Sequence, residues 1–176
     1  MSHINIEIKA RSHDQEKIRT ILLSRNADVK GTDHQIDTYF NAHHGRLKLR
    51  EGTIENSLIY YEREDKEGPK QSDIILFRST PGSSLKPILE RSCGVLIVVD
   101  KQREIYFIDN IKFHIDSVRD LGTFIEIEAI DETGTIGKEK LLEQCNEYFK
   151  LFEIPASDLV SVSYSDLLLA KIEGGR

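Results

Sequence analysis

Hydrophobic and polar residues alternate along several short segments of the chain. Segment 124–129 places its isoleucines on one face of a strand and Glu126 and Glu128 on the other, because successive strand side chains point to opposite faces. The segment Ile4–Ala10 has the same phase, with isoleucines alternating with polar residues. Several such segments in one chain predict a sheet with one apolar face and one charged face.

Further segments of this kind predict about eight or nine strands. The predicted strands are Ile4–Ala10, Gln35–Phe40, Arg46–Arg50, Ser57–Glu64, Asp73–Ser79, Val95–Ile108, Ile111–Val118 and Thr123–Asp131. The segment 95–108 is predicted as one long strand or a bent pair interrupted at 100–103. A break is predicted at 31–33 and a charged loop at 65–72, where Lys66 and Lys70 are expected to be solvated.

Apolar residues at helical spacing predict four helices among these strands. They are one that begins near Ser12 or His13, a short one that ends near Arg91, Gly134–Phe152 and Tyr164–Lys171. Many strands and few helices predict an α+β fold that is mainly antiparallel β, closed into a barrel with the helices outside. The length of 176 residues fits one domain, 1–176, with a frayed tail at 173–176.

Composition limits the classes of partner. With 31% charged and 39% hydrophobic residues the chain is expected to fold, and its net charge of -6 gives no general attraction to nucleic acid or to an anionic membrane. Any anion-binding site must therefore be a local basic cluster. Cys93 and Cys145 lack metal-ligand spacing, and the sequence shows no apolar signal or membrane span, so a reducing, cytoplasmic location is expected.

The charges on the polar face are sorted by sign along the chain. Acids concentrate on the first and the last two predicted strands, and cations on those between. In a closed barrel the acids therefore gather near the seam, opposite a basic wall. Arginine and lysine bind phosphate oxygens and carboxylates bind hard cations, so this arrangement suits a polyphosphate complexed with Mg²⁺ or Mn²⁺.

Simpler interpretations stay open at this point. An alternating charged strand is usually the solvated face of a half-buried sheet, and Glu126 with Glu128 could form cross-strand ion pairs. His114 is expected to be a hydrogen-bonding residue of the lumen or its rim rather than a proton shuttle. The sequence contains no glycine-rich phosphate loop and no Ser/His/Asp order, so any chemistry must come from the charged lumen.

The chain resembles the CYTH superfamily of class IV adenylyl cyclases and thiamine triphosphatases, the triphosphate tunnel metalloenzymes. The resemblance runs from Ile4 to about Leu169, and its individually weak motifs are specific through their order and spacing. They are Asn5-Ile6-Glu7-Ile8-Lys9, Asp37-Thr38-Tyr39-Phe40, Leu47-Lys48-Leu49-Arg50-Glu51, Leu58-Ile59-Tyr60-Tyr61-Glu62-Arg63, Lys101-Gln102-Arg103, His114-Ile115-Asp116, the run from Leu121 to Glu128, and Ser163-Tyr164-Ser165-Asp166-Leu167-Leu168.

The resemblance implies an eight-stranded antiparallel β tunnel that binds a triphosphate and Mg²⁺ or Mn²⁺. By position, the implied metal ligands are Glu7, Asp116, Glu126 and Glu128. The implied phosphate-binding residues are Lys9, Lys48, Arg50, Arg63 and Arg103, with Arg78 and Lys101 as further candidates, and the implied catalytic residues are Glu7, Lys9 and Arg103. One departure is Asn5, which stands where the family has a glutamate, so a second metal ion is expected to bind more weakly.

Several functions compete under this resemblance. Segments 58–63, 68–70 and 114–122 look most like the bacterial class IV cyclase branch, which implies conversion of ATP to cyclic AMP and pyrophosphate. The alternatives are a triphosphatase acting on thiamine triphosphate, inorganic triphosphate or a nucleoside triphosphate, a non-catalytic triphosphate or polyphosphate sensor, and a structural barrel with internal ion pairs. The expected partner is a small-molecule triphosphate, not a nucleic acid or a membrane, and a homodimer stays open.

Overall fold

A computed structural model describes residues 2–175, in which eight strands form one closed antiparallel barrel. The strands are β1 (Ser2–Arg11), β2 (Asp28–Phe40), β3 (Arg46–Gly52), β4 (Asn56–Arg63), β5 (Lys70–Arg78), β6 (Val95–Ile108), β7 (Ile111–Val118) and β8 (Gly122–Asp131). Their order around the barrel is β1-β5-β4-β3-β2-β6-β7-β8, and β8 pairs with β1 to close it. The predicted fold is confirmed.

Within residues 2–175, four α-helices lie outside the barrel. They are α1 (Gln15–Ser24), α2 (Leu85–Cys93), α3 (Lys138–Leu151) and α4 (Tyr164–Gly174), with a short 3₁₀ turn at Ala156–Asp158. The Asp14 side chain accepts a hydrogen bond from the Lys17 N–H and so caps α1. Ser163 and Asp166 form a capping box that begins α4.

The apolar face of the sheet is the outer one, as the alternation predicts. Ile125 and Ile127 of β8 are buried in a core with Leu22 of α1 and Leu141 of α3. Phe113 lies in the same core and contacts Tyr148 edge to face, with 4.8 Å between ring centroids. Helices α1 and α3 therefore cover the outside of β1, β7 and β8, which leaves the charged face inside.

The larger differences from the sequence-based prediction concern β2, β5, β6 and α3. The strand β2 runs through the predicted break at 31–33, because a bulge after Val29, with Gly31 at φ +119, absorbs the irregularity. The strand β5 begins at Lys70 inside the predicted loop, and β6 is continuous through 100–103. Helix α3 begins at Lys138 and not at Gly134, because the Asp131 carboxylate accepts the N–H groups of residues 135–137 and holds them as a turn.

The chain after α3 closes one end of the barrel. Segment 160–164 contacts β1 through Lys9, β3 through Arg46 and β7 through Asp116. These strands are spread around the barrel, so the segment crosses its end. Of the predicted tail, residues 173–174 belong to α4 and Arg176 lies outside the described residues. None of the helices in the described part of the chain is long and apolar enough to span a membrane.

Candidate active site inside the barrel

The barrel encloses a cavity of about 600 Å³ to which all eight strands contribute side chains. One end lies at Tyr164, whose ring contacts the inward-facing Phe124 of β8 at a centroid distance of 4.9 Å. Farther along β8, Glu126, Glu128 and Ile130 face inward in turn toward the other end. The cavity therefore has a closed end at α4 and an open end near Ile130.

The predicted site residues converge on this cavity, with one exception. Those that line it are Glu7, Lys9, Lys48, Arg50, Arg63, Arg78, Lys101, Arg103, Glu126 and Glu128. Asp116 does not line the cavity, because Arg103 holds both of its carboxylate oxygens at 2.8 and 2.7 Å and the Tyr164 hydroxyl donates to it at 2.7 Å. The structure thus places Asp116 behind the tunnel wall, where Arg103 Nη2 links it to Glu126.

Three acids meet where the first and last strands pair. Glu7 is opposite Glu128 in the β1–β8 register, and Glu126 is the next inward-facing residue. Burial raises the pKa of Glu128 to about 7, and the negative charges of Glu7 and Glu126 add to the rise. Asn5 donates its side-chain N–H to Glu128. Glu128 is therefore an acid whose ionised form lacks a sufficient counter-charge.

The other two acids are already paired with cations. Arg63 binds Glu7 through a charge-assisted hydrogen bond. Glu126 accepts from Arg103 at 3.2 Å and lies 3.4 Å from the Lys9 ammonium. Although burial opposes it, these two cations hold the pKa of Glu126 well below its ordinary value.

The basic wall is organised by an aspartate that the sequence-based site does not include. Asp37 is buried and accepts two hydrogen bonds from Arg50, at 2.9 and 2.8 Å, and one from Lys101 at 2.7 Å. The Lys48 ammonium lies 3.3 Å away. Against the effect of burial, these cations hold the pKa of Asp37 well below its ordinary value. Its inward phase on β2 opposite Arg50 is the sequence signal that could have found it.

Two lysines near the closed end are strongly desolvated. Lys9 is 4% exposed and its ammonium lies 4.1 Å from the centre of the Tyr164 ring. Lys70, expected to be solvated, is instead 1% exposed and donates to the Ser161 carbonyl at 2.7 Å. Burial, with Arg63 nearby, lowers the pKa of Lys70 to about 8. The sequence-based prediction assigned Lys70 to a solvated loop, whereas in the structure it is the first residue of β5.

His114 is buried in the tunnel wall, and only one of its two ring nitrogens has a hydrogen-bond partner among the described residues. Its Nδ1 is 3.0 Å from a Glu126 oxygen, which as a carboxylate accepts the N–H. Burial and the Arg103 charge lower the pKa of His114 to about 4, so the ring is neutral and its Nε2 carries a lone pair. That Nε2 has no hydrogen-bond partner among residues 2–175. His114 is the lumen hydrogen-bonding residue expected from the sequence.

The donor chemistry of the acids fits a hard divalent cation. Glu7, Glu126 and Glu128 offer only carboxylate oxygens, the ligands that Mg²⁺ and Mn²⁺ prefer. Burial and the neighbouring acids both raise the pKa of Glu128, and a bound cation would offset both effects. Within residues 2–175 no three His, Cys, Asp or Glu side chains converge into a preformed metal site. Metal binding therefore requires Glu7 and Glu126 to exchange their present cation partners.

Comparisons with known proteins give one family and several similar folds. The CYTH domain family model matches residues 3–160. The PH1012 protein of Pyrococcus horikoshii OT3 has 24% sequence identity and a TM-score of 0.75, with 93% of this chain and 98% of that chain covered. The comparison with curated proteins gives no match.

Two further structural neighbours have names that mention an activity. A candidate adenylate cyclase from Vibrio parahaemolyticus has 18% identity and a TM-score of 0.73, with 96% of this chain and 99% of that chain covered. A candidate adenylyl cyclase from Hippeastrum, described as having a dominant triphosphatase activity, has 14% identity and a TM-score of 0.61, with 97% and 96% covered. At these identities the likeness establishes the barrel fold.

Proposed function

The chain belongs to the CYTH domain family, and from that premise we propose that it is a divalent-metal-dependent enzyme that acts on a triphosphate inside the tunnel. One observation carries the proposal: buried cations on one wall of the barrel cavity face three acids at the β1–β8 seam. Charges enclosed in such a lumen are costly unless they form ion pairs, bind ions or surround water, and a polyanion bound with a metal cation would satisfy both walls.

The basic wall supports binding of a polyanion. Asp37 is one carboxylate against three basic side chains, Arg50, Lys101 and Lys48, so it cannot neutralise all of them. Arg63 is also prepared for an anion, because its Nε and one Nη are buried without a hydrogen-bond partner among the described residues. A guanidinium with two free donors suits a phosphoryl group.

The acids support the metal requirement. We assign Glu7, Glu126 and Glu128 as the residues that would hold Mg²⁺ or Mn²⁺. A bound divalent ion would withdraw charge from the phosphoryl group under attack. Lys9 and Arg103, beside Glu126 in the same wall, would stabilise the charge that develops on the phosphoryl oxygens. Asn5 carries no charge, so we expect one strongly bound metal ion.

We favour the cyclase reaction, in which the ribose 3′-hydroxyl of ATP attacks the α-phosphorus. Phe107, Ile54 and Ile130 line the cavity toward its open end and offer apolar contacts to an organic group such as adenine. The lone pair of His114 Nε2 would accept a hydrogen bond from the attacking hydroxyl.

The alternative is a triphosphatase, in which water attacks the terminal phosphorus. The same apolar contacts favour thiamine triphosphate or a nucleoside triphosphate over inorganic triphosphate in that case. A cytoplasmic location and a homodimer stay predictions.

The test is to incubate purified protein with Mg²⁺ or Mn²⁺ and, separately, ATP, thiamine triphosphate and inorganic triphosphate, and to separate the products by chromatography. Cyclic AMP with pyrophosphate from ATP would support the cyclase, and orthophosphate from any substrate would support the triphosphatase. Glu126→Gln is the control and should abolish turnover. Tight binding of all three compounds without any product would favour a non-catalytic triphosphate sensor over an enzyme.

A further inference from the structure

A rigid loop at the open end of the tunnel carries an acid into the cavity. The loop joins β3 to β4, and the buried Asp33 accepts hydrogen bonds from Thr53 Oγ1, the Ile54 N–H and the Glu55 N–H, each at 2.9 Å. A side chain at Gly52 would lie 2.6 Å from the Glu55 carbonyl oxygen and 2.7 Å from Asp33. The loop conformation is therefore fixed, and with it the position of the Glu55 side chain.

The Glu55 carboxylate lies between two cations from different parts of the barrel. It forms an ion pair with the ammonium of Lys112 on β7, and Arg50 Nη1 on β3 is 3.6 Å from its other oxygen. Gln35 also donates to it at 3.1 Å. Because β2 and β6 separate β3 from β7 in the barrel order, Glu55 reaches across the lumen wall.

The two cations have the properties of an anion-binding pair. The Arg50 donors Nε and Nη2 are used by Asp37, which orients Nη1 toward Glu55. The Lys112 side chain is 11% exposed and lines the same cavity as the predicted phosphate-binding residues. A carboxylate held by an arginine and a lysine occupies the position that a phosphoryl group would take with the same donors.

The strand register shows how far Lys112 lies from Lys9 along the tunnel, because both are opposite inward-facing residues of β8. Lys112 is opposite Glu128, whereas Lys9 is opposite Glu126, two residues farther along β8 toward the closed end. Two strand residues span about 7 Å. A single orthophosphate cannot contact the Lys112 and Lys9 positions together, whereas a chain of phosphoryl groups can.

We propose that Lys112 and Arg50 form a further anion subsite at the open end of the tunnel, which binds a phosphoryl group of the substrate in competition with the Glu55 carboxylate. The inference rests on the proposed triphosphate function and deepens it. A triphosphate that reaches this subsite must displace Glu55, so the acid favours ligands long and charged enough to do so. Glu55 thereby weakens binding while selecting for chain length.

The test measures binding of inorganic triphosphate by calorimetry in metal-free buffer at low salt. Glu55→Gln keeps the side-chain length and the oxygen that accepts from Gln35 but removes the competing charge, so we expect affinity to rise about three- to tenfold. Lys112→Met should lower affinity by a similar factor. In the Lys112→Met background, Glu55→Gln should have a clearly smaller effect, because the shared cation is gone.

The matched control is Glu132→Gln, which removes the same charge from the same cavity at a residue that forms no ion pair with Lys112 or Arg50. Unchanged or weaker binding by a folded Glu55→Gln protein would overturn the inference, as would an equal gain from Glu132→Gln. Should Glu55→Gln fail to fold, Lys112→Met alone decides, since unchanged affinity there refutes the subsite. Wild-type protein that binds no triphosphate, either in this buffer or with Mg²⁺ added, would instead refute the proposed function.

Discussion

Glu128 should destabilise the metal-free fold at neutral pH, so Glu128→Gln should make the metal-free protein more stable. The glutamine keeps an oxygen that can accept the Asn5 N–H, and it removes the charge that burial and the two neighbouring acids oppose. Substitution of Glu128, a residue that we assign to metal binding, would then increase the free energy of unfolding of the metal-free protein. That opposition between stability and function is expected where like charges are held together for a ligand.

The size and the pH range follow from the pKa of Glu128, which stands at about 7 in the folded protein against an ordinary 4.5. Because the folded state binds this proton more tightly than the unfolded chain, stability falls as pH rises from about 4.5 to about 7. At about 1.4 kcal/mol per pKa unit, the loss approaches about 3 kcal/mol at pH 8. Glu128→Gln should therefore match wild type near pH 4 and exceed it by up to that amount at pH 8.

Urea unfolding with EDTA, followed by circular dichroism at several pH values between 4 and 8, measures this difference directly. Comparing the two proteins at each pH cancels the titration of all other groups. Added Mg²⁺ should reverse the order, because it stabilises only the protein that binds it. A Glu128→Gln protein that is less stable than wild type at pH 8 in EDTA, or a difference that does not change with pH, would refute the reasoning.

Three further predictions concern the wall and the core. Asp116→Asn should weaken triphosphate binding more than tenfold, because it releases Arg103, and it should leave Mn²⁺ affinity, measured by electron paramagnetic resonance, within about twofold. A loss of Mn²⁺ affinity as large as that of Glu126→Gln would instead support Asp116 as a metal ligand. Arg50→Ala should lower triphosphate affinity at least tenfold in calorimetry, and unchanged affinity would contradict the basic wall. Leu22→Ala, at a fully buried site, should cost about 2–5 kcal/mol of unfolding free energy without changing ligand affinity, and a smaller loss in urea unfolding would show that the site collapses.

The barrel and the identity of its inward face could be predicted from sequence because alternation determines both at once. The segments 95–108 and 111–118 match β6 and β7 at both ends, since Gly94, Asp109-Asn110 and Arg119-Asp120 bound them. A period of two also fixes which residues share a face, so finding Glu126 in the lumen required only the apolar phase of its neighbours.

What could not be predicted depends on contacts between distant parts of the chain. The charged stretch before Asp73 has the composition of a loop, yet Lys70 is a buried residue of β5. Its ammonium donates a hydrogen bond to the carbonyl of Ser161, which is distant in the sequence. Asp33 falls in an apparent break, yet it is buried because a loop some twenty residues later supplies its donors. Local propensity carries no information about such partners.

The same limit explains the position of Asp116. The alternation along β7 correctly predicts that Asp116 faces inward. The sequence does not show that Arg103 and the Tyr164 hydroxyl enclose its carboxylate. Asp37 is enclosed by Arg50 and Lys101 in the same way. Phase predicts the face of a residue, whereas its depth in the wall depends on which side chains pack in front of it.

These two aspartates indicate how the tunnel is organised for a ligand. A buried ion pair contributes little net stability, because desolvation offsets most of the attraction. Its value here is geometric, since Asp37 and Asp116 each fix the plane of one arginine that faces a 600 Å³ cavity. Arg50 and Arg103 thus keep their orientation, while burial and two neighbouring acids oppose the charge of Glu128. The lumen is therefore arranged for an anion and a cation together, and we expect binding of either to increase affinity for the other.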